Sequence, residues 1–220
     1  MDETVIVVTG AAPLASRVVD RLPDGIVLAA DGGLDHALAA GLRPAGLIGD
    51  LDSVSTDGLA WAEAHATISR HDPDKDRTDT ELALETAADL TPARVVLVAG
   101  GGDRLDHTLA ALGALGAATL TSVPLLEAWW GEQYLRILHG PSRAELDLAP
   151  GVVLSLLAAH GPCTGVSISG VEWPLDRAEL APLVGLGVSN VVAEPPVEIT
   201  VSSGVLTVVV PSPALSEAPS

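Results

Sequence analysis

Aspartate is the residue whose placement in this sequence most clearly points to chemistry. Of the 17 aspartates in 220 residues, 12 fall between residues 31 and 106. Most of them lie in four loops, at 30–33, 49–53, 72–79 and 100–107. Aspartate favours turns and helix caps in general, so one such loop would indicate little. Four of them in one region predict an acidic pocket.

Asp50 and Asp52 are separated by a single residue. In an extended chain the side chains at i and i+2 lie on the same side, which would bring the two carboxylates together. Two such charges repel unless a cation lies between them, and hard divalent ions prefer oxygen ligands. Mg²⁺ with a nucleotide fits best, because Mg²⁺ takes one or two carboxylates together with substrate phosphates. Calcium is the alternative, although the sequence has no Asp-x-Asp-x-Asp-Gly loop.

Lys75 is the only lysine among the 11 basic residues, and it lies inside the third acidic loop. A compact ammonium group suits contact with a phosphate oxygen, whereas the planar guanidinium group of arginine suits paired contacts. The alternative is an accidental surface lysine. Arg77 and Arg104 lie in the same loops and could add further anion contacts.

Composition and missing motifs exclude several classes of protein. A hydrophobic content of 48% excludes a disordered chain, and a net charge of −18 opposes binding to nucleic acid or anionic lipid. The single cysteine, Cys163, excludes an internal disulfide and a multi-cysteine zinc site. The sequence contains no phosphate-binding Gly-x4-Gly-Lys-Ser/Thr loop, no Gly-x-Gly-x-x-Gly and no Gly-x-Ser-x-Gly elbow.

Short apolar segments alternate with helical patterns over the first 130 residues. Strands are predicted over 5–9, 26–30, 47–48, 67–71, 94–99 and 124–128. Helices are predicted over 14–22, 34–40, 56–65, 79–90 and 104–116, and Thr78 with Glu81 predicts a capping box. Strands that are apolar on both faces and separated by helices indicate a parallel sheet covered on both sides. The acidic loops follow strands two to five, at the edge where such sheets bind ligands.

The pattern changes near residue 140, where His139-Gly140-Pro141-Ser142 predicts a linker. Strands over 152–158 and 166–169 then follow without long helices, and 197–201 and 205–210 predict a closing hairpin. The expected fold is therefore an N-terminal parallel-sheet α/β domain, residues 1–138, followed by a small all-β domain, residues 143–212.

The expected location is the cytoplasm. The chain opens with Met1-Asp2-Glu3, which has the wrong charge for a secretory signal. Residues 108–126 carry no charge over nearly a membrane-spanning length, but they divide into a helix-like and a strand-like half. A soluble protein without membrane or nucleic-acid partners is predicted.

The four acidic loops, in their order, resemble those of the thiamine pyrophosphokinase (thiamine diphosphokinase) family. That family has Asp-Gly-Gly, Gly-Asp-aromatic-Asp-Ser, Lys-Asp-x-Thr-Asp and Gly-Gly-Arg-x-Asp-His, which correspond to 31–33, 49–53, 75–79 and 101–107 here. Residues 170–175, Ser189-Asn190 and the closing hairpin are similar too. The sequence departs from the family at four places, which are Asp35-His36, Leu51, Asp103 and Ala111.

The resemblance implies an α/β catalytic domain, a C-terminal β-sandwich that binds thiamine, and a homodimer with active sites between subunits. It implies transfer of the pyrophosphoryl group of ATP to thiamine, with Mg²⁺. The implied catalytic residues are Asp31, Asp50, Asp52, Lys75 and Asp79, and the metal ligands are Asp50, Asp52, Asp76 and Asp79. The implied ATP-binding residues are Gly32, Gly33, Lys75, Thr78, Arg104, Asp106 and His107. The implied thiamine-binding residues are Trp173, Ser189 and Asn190.

Two other functions stay open at this point. A related pyrophosphokinase of the same fold could act on another alcohol, such as a pterin, and would not need Trp173, Ser189 and Asn190. A non-catalytic module could bind a divalent ion or a nucleotide as a sensor. Release of AMP from ATP that depends on both thiamine and Mg²⁺ separates these possibilities.

Overall fold

The structure is a computed structural model that describes residues 3–99, 101–102 and 104–211. These residues form two compact units, with the division after Gly131. The functional domain limits of 1–138 and 143–212 stay a prediction.

Six parallel strands form the sheet of the first unit. They are β1 (Thr4–Val8), β2 (Ile26–Ala30), β3 (Gly46–Gly49), β4 (Thr67–Arg70), β5 (Arg94–Ala99) and β6 (Leu125–Trp130). Their order across the sheet is β4-β3-β2-β1-β5-β6, so the direction of winding reverses at β1. A reversal of this kind opens a crevice at the carboxyl ends of the central strands.

Helices connect the successive parallel strands of this unit. They are α1 (Ser16–Val19), α2 (Gly33–Ala39), α3 (Thr56–His65), α4 (Asp79–Asp89) and α5 (Leu105–Ala114). Strands β1 and β5 are buried along almost their whole length, which explains why their sequences are nearly continuous apolar segments. The predicted α/β class with a mainly parallel sheet is confirmed.

Helix α1 is shorter than the predicted 14–22. Arg21 and Leu22 donate their N–H groups to carbonyls three residues back, so the chain tightens out of the α-helix ahead of Pro23. The uncharged residues 108–126 consist of most of α5, a 3₁₀ turn at Ala118–Leu120 and the start of β6, as predicted. Within the described ranges, no helix combines the length and apolarity needed to cross a membrane.

Two antiparallel sheets form the second unit. Its strands are β7 (Gln133–His139), β8 (Ser142–Leu146), β9 (Val153–Leu157), β10 (Cys163–Ser169), β11 (Leu175–Leu180), β12 (Asn190–Val191), β13 (Val197–Val201) and β14 (Val205–Val210). One sheet has the order β12-β9-β14-β7, and the other β11-β10-β13-β8. The predicted β-sandwich is confirmed.

The predicted closing hairpin is wrong. Strand β13 pairs with β10 and β8, whereas β14 pairs with β7 and β9, so the two strands belong to different sheets. The turn between them passes from one sheet to the other at Gly204, which has a φ of +89°. A Cβ atom there would lie 2.4 Å from the carbonyl oxygen of Pro162, so only glycine fits this crossing.

Candidate active site

A cavity of about 560 Å³ lies at the carboxyl edge of the parallel sheet. It is lined by the loops after β1, β2, β3 and β4 and by the N-terminal part of α5. Seven of the predicted site residues contribute to its wall. They are Asp31, Gly32, Lys75, Thr78, Asp79, Arg104 and His107.

Three carboxylates from different loops meet at this edge. Oxygen atoms of Asp31, Asp50 and Asp79 all lie within 4.8 Å of one another, and we call this group the acidic cluster. Gly49 ends β3 between two of them, where a Cβ atom would lie 3.1 Å from Asp31 Cβ and from Asp79 Oδ1. The glycine ahead of Asp50 therefore provides the room in which the carboxylates converge.

Lys75 lies against the acidic cluster. Its Nζ is 3.3 Å from Asp50 Oδ2 and 3.1 Å from Asp79 Oδ1. Partial burial alone would lower the pKa of Lys75, but the hydrogen bonds to Asp79 and Asp50 outweigh it and raise the pKa above its ordinary value. The single lysine thus contacts two carboxylates directly and stays charged.

The environments of Asp31 and Asp50 shift their pKa values in opposite directions. Burial raises the pKa of Asp31, and repulsion from Asp79 and Asp50 raises it further. The hydrogen bonds that Asp31 accepts from Ser53 and Gly32 act in the opposite direction and offset only part of this increase. The N–H of Asp52 donates to Asp50 Oδ1 at 3.3 Å, and this bond, together with Lys75, lowers the pKa of Asp50 despite some desolvation. Asp31 Oδ1 is buried and has no hydrogen-bond partner among the described residues.

The extended geometry expected for Asp50-Leu51-Asp52 is wrong. Leu51 has a φ of +70° and buries its side chain in the core with Leu34 and Leu47. The chain therefore turns between the two aspartates, and Asp52 is exposed with Oδ1 accepting a hydrogen bond from Ser53 Oγ at 2.9 Å. Asp52 lies outside the acidic cluster. Asp76 is also exposed and outside it.

Helix α4 begins at the predicted capping box, which is confirmed. Thr78 Oγ1 accepts from the N–H of Glu81 at 3.2 Å, and Glu81 Oε2 accepts from the N–H of Thr78 at 2.7 Å. The box starts the helix at Asp79 and so fixes this carboxylate at the cavity. In this structure the Thr78 hydroxyl is used for capping.

Gly32 and Gly33 have different surroundings. Gly32 lines the cavity, whereas Gly33 is buried against β1. A Cβ atom on Gly33 would lie 2.2 Å from the carbonyl oxygen of Val8. The second glycine is therefore required by the close approach of α2 to the sheet.

The fourth acidic loop places Arg104 and His107 at the cavity. Arg104 Nη2 donates to Asp106 Oδ2 at 2.5 Å on an exposed surface, and this contact lowers the pKa of Asp106 to about 2. Asp106 itself is not in the cavity wall. Asp103 lies outside the described residues.

Sequence reasoning missed two parts of the cavity wall. Thr9 and Gly10, which follow β1, line it, and Thr9 Oγ1 is buried without a hydrogen-bond partner among the described residues. Trp130, at the end of β6, lines it too. These residues carry no charge, so only their position at the carboxyl ends of strands could have identified them.

The predicted thiamine-binding residues lie together in the second unit. Asn190 is buried, and its amide exchanges two hydrogen bonds with the backbone of Trp173, at 3.1 and 2.6 Å. The side chain of Trp173 is left 60% exposed. Ser189 is exposed with a φ of +59°, and its N–H donates to Ser155 Oγ. Asn190 thus fixes the backbone at Trp173.

The donor set of the acidic cluster suits a hard divalent cation. It offers carboxylate oxygens, of which Asp31 Oδ1 is buried and without a hydrogen-bond partner in the described part of the chain. Oxygen-only sets with space for substrate phosphates are typical of Mg²⁺ sites. The residues present therefore fit Mg²⁺.

Two family models match the sequence. Residues 24–125 match thiamin pyrophosphokinase, catalytic domain, and residues 143–206 match thiamin pyrophosphokinase, vitamin B1 binding domain. No curated protein matches the sequence significantly.

Solved structures with the same fold include thiamine pyrophosphokinases from several organisms. The Bacillus subtilis protein has a TM-score of 0.79 at 19% identity, covering 96% of this chain and 99% of that chain. The Geobacillus thermodenitrificans protein has a TM-score of 0.77 at 22% identity, covering 96% and 98%. The Candida albicans protein has a TM-score of 0.74 at 14% identity, covering 95% and 90%. The two family models together cover most of the sequence, and the chain therefore belongs to the thiamin pyrophosphokinase family, whose enzymes pyrophosphorylate thiamine.

Proposed function

We propose that the chain transfers the β,γ-pyrophosphoryl group of ATP to the hydroxyethyl oxygen of thiamine, giving thiamine diphosphate and AMP. The observation that carries this proposal is the acidic cluster with Lys75 against it, beside a cavity at the carboxyl edge of the sheet. In the transfer, the thiamine oxygen bonds to the β-phosphorus while the bond from that phosphorus to the α,β-bridging oxygen breaks. The hydroxyl proton passes to a carboxylate.

Asp50 and Asp79 would hold Mg²⁺, with Asp52 and Asp76 as outer ligands from the same two loops. Mg²⁺ supplies neutralisation of phosphate charge when bound. Asp31 accepts the hydroxyl proton in this proposal, because Oδ1 is buried and makes no hydrogen bond to another described residue.

Cationic and backbone groups around the cavity would bind the phosphates. Lys75 presents a point charge, and Arg104 is exposed enough to share its guanidinium group between Asp106 and a phosphate. Gly32 allows close approach of the backbone, Thr78 holds Asp79 in place, and His107 would offer a ring nitrogen from the cavity wall. Pyrophosphoryl transfer needs alignment and charge neutralisation more than covalent catalysis, which these groups can supply.

Residues 143–212 would bind thiamine, and residues 1–138 would bind ATP and carry the chemistry. The match of 143–206 to a vitamin B1 binding domain supports this division. The exposed indole of Trp173 offers a flat face to a cationic thiazolium ring. Asn190 holds that loop in place, and Ser189 adds a hydroxyl beside it.

We also propose a homodimer that works in the cytoplasm, where ATP is available. Exposed large apolar side chains in the second unit support self-association, because such groups favour burial at interfaces. They are Val153, Trp173, Leu183, Val184, Leu186 and Val188. The net charge of −18 opposes nucleic acid as a partner.

The test is a product assay with the purified full chain. We expect AMP and thiamine diphosphate in equal amounts when ATP, thiamine and Mg²⁺ are all present, and neither product when any one is omitted. Equal AMP release without thiamine, or turnover with a pterin alcohol and none with thiamine, would contradict the proposal.

A further inference from the structure

Both carboxylate oxygens of Asp35, on helix α2, accept hydrogen bonds from the residue that caps the next helix. Its Oδ2 accepts from the N–H of Ser55 at 2.8 Å, and its Oδ1 accepts from Ser55 Oγ at 2.6 Å. Ser55 is the N-cap of α3, and its Oγ accepts from the N–H of Gly58 at 2.9 Å. The three residues thus form a continuous hydrogen-bonded connection, the Asp35–Ser55–Gly58 clamp.

Gly58 shows how closely the clamp is packed. A Cβ atom at this position would lie 2.3 Å from Asp35 Oδ1 and 3.0 Å from Ser55 Oγ. The first turn of α3 therefore approaches the carboxylate so closely that a side chain at residue 58 would displace it. The start of α3 and the side chain of Asp35 are therefore packed tightly against each other.

The clamp fixes the loop that carries Asp50. This loop runs from the end of β3 to Ser55 and also contains Asp52 and Ser53. At one end Leu51 is buried in the core with Leu34, the residue before Asp35. At the other end Ser55 is bound by Asp35. Both attachments of the loop are therefore made to α2, the helix that begins two residues after Asp31.

We propose that Asp35 is a positioning residue for the divalent cation site. It sets the position of Asp50, one of the two carboxylates that would hold the ion, by holding the loop after β3 against the start of α2. Asp35 is not one of the three carboxylates of the acidic cluster, and each of its oxygens accepts a hydrogen bond from Ser55. This inference rests on the proposed function, since it concerns the site at which Mg²⁺ would act.

The conservative variant separates positioning from charge. Asp35→Asn keeps one oxygen to accept from the Ser55 N–H, and its amide group can donate to Ser55 Oγ, so most of the clamp survives. Asp35→Ala removes both contacts. Asp57→Ala is the matched control, because Asp57 is an exposed carboxylate in the first turn of the same helix.

The experiment measures Mn²⁺ binding to each variant without substrates, together with the Mg²⁺ concentration that half-saturates activity. Removing a group that orients a metal ligand typically weakens metal binding about 10–100-fold. We expect a shift of about tenfold or more for Asp35→Ala, about threefold or less for Asp35→Asn, and none for Asp57→Ala. If Asp35→Ala does not fold, the same measurement is made on Ser55→Ala. This variant loses one of the two contacts, so a smaller decrease in Mn²⁺ affinity is expected.

Unchanged Mn²⁺ affinity in Asp35→Ala with a lowered melting temperature would overturn the inference and leave Asp35 a stabilising residue only. A wild-type chain that binds no Mn²⁺ would overturn it too. A different outcome would contradict the proposed function instead. In that case the wild type would bind Mn²⁺ normally but would not release AMP when thiamine is added.

Discussion

Replacing Lys75 by methionine tests how the acidic cluster is held together. The ammonium lies 3.3 Å from Asp50 and 3.1 Å from Asp79, and the side chains of Lys75, Asp50 and Asp79 are 16%, 14% and 23% exposed. A hydrogen bond between charged groups contributes about 1.5–3 kcal/mol, and residual exposure places each contact here at the low end. Losing both, with the carboxylates left to repel one another, should lower the free energy of unfolding by about 2–3 kcal/mol. For a chain of this length that corresponds to a melting temperature lower by roughly 4–12 °C.

The assay is thermal unfolding in EDTA and again in excess Mg²⁺. We expect Mg²⁺ to restore most of the lost stability, because a divalent ion between Asp50 and Asp79 replaces the missing positive charge. Arg70→Met, which removes an exposed cation at the end of β4, is the control and should behave like the wild type in both conditions. An equal loss of stability with and without Mg²⁺, or no loss in EDTA, would show that Lys75 does not hold the acidic cluster together. In the same series Lys75→Arg should lower kcat at least about tenfold, since a planar guanidinium group cannot occupy the place of a single ammonium.

Three further predictions concern other residues. Asp50→Asn should fold with some loss of stability and lose on the order of 10²-fold in kcat, whereas Asp52→Asn, at an outer ligand, should fold normally and lose less; full turnover of Asp50→Asn at limiting Mg²⁺ would contradict the metal assignment. Trp173→Ala should raise the thiamine KM about two- to thirtyfold, from a cation–π contribution of about 0.5–2 kcal/mol, without changing the ATP KM; equal changes in both would assign Trp173 to the fold. Burial and the charge of His139 hold the pKa of His160 below 6.5, so its neutral form stabilises the fold above about pH 6.5 and this stability is lost as pH falls. His160→Gln should therefore flatten the pH dependence of unfolding below pH 6.5, and an unchanged slope would show that other groups cause it.

The position of the acidic loops could be predicted from the sequence because it follows from topology. Once the alternation of strands and helices is recognised, loops after consecutive parallel strands must reach the same edge. Asp31, Asp50 and Asp79 meet there as that rule requires. The capping box at Thr78 was equally predictable, since it depends only on residues three apart.

Other features depend on contacts between residues that are far apart in the sequence. The turn between Asp50 and Asp52 arises because Leu51 is drawn into the core, which no spacing rule reveals. The strand patterns of β13 and β14 suit a hairpin and a crossing between sheets equally well, and the chain crosses between the sheets at Gly204. The bond between Asp35 and Ser55 joins residues 20 positions apart, so only the folded chain brings it into view.

The most direct test of the proposed metal site is the position of a bound metal ion. Crystals of the full chain grown with Mn²⁺ and a non-hydrolysable ATP analogue would show the ion by its anomalous scattering. We expect a peak at coordination distance from Asp50 and Asp79, with the analogue's phosphates on the same ion and Lys75 turned toward a phosphate oxygen. A peak elsewhere in the molecule, or an analogue bound with no ion at the acidic cluster, would contradict the proposed metal site.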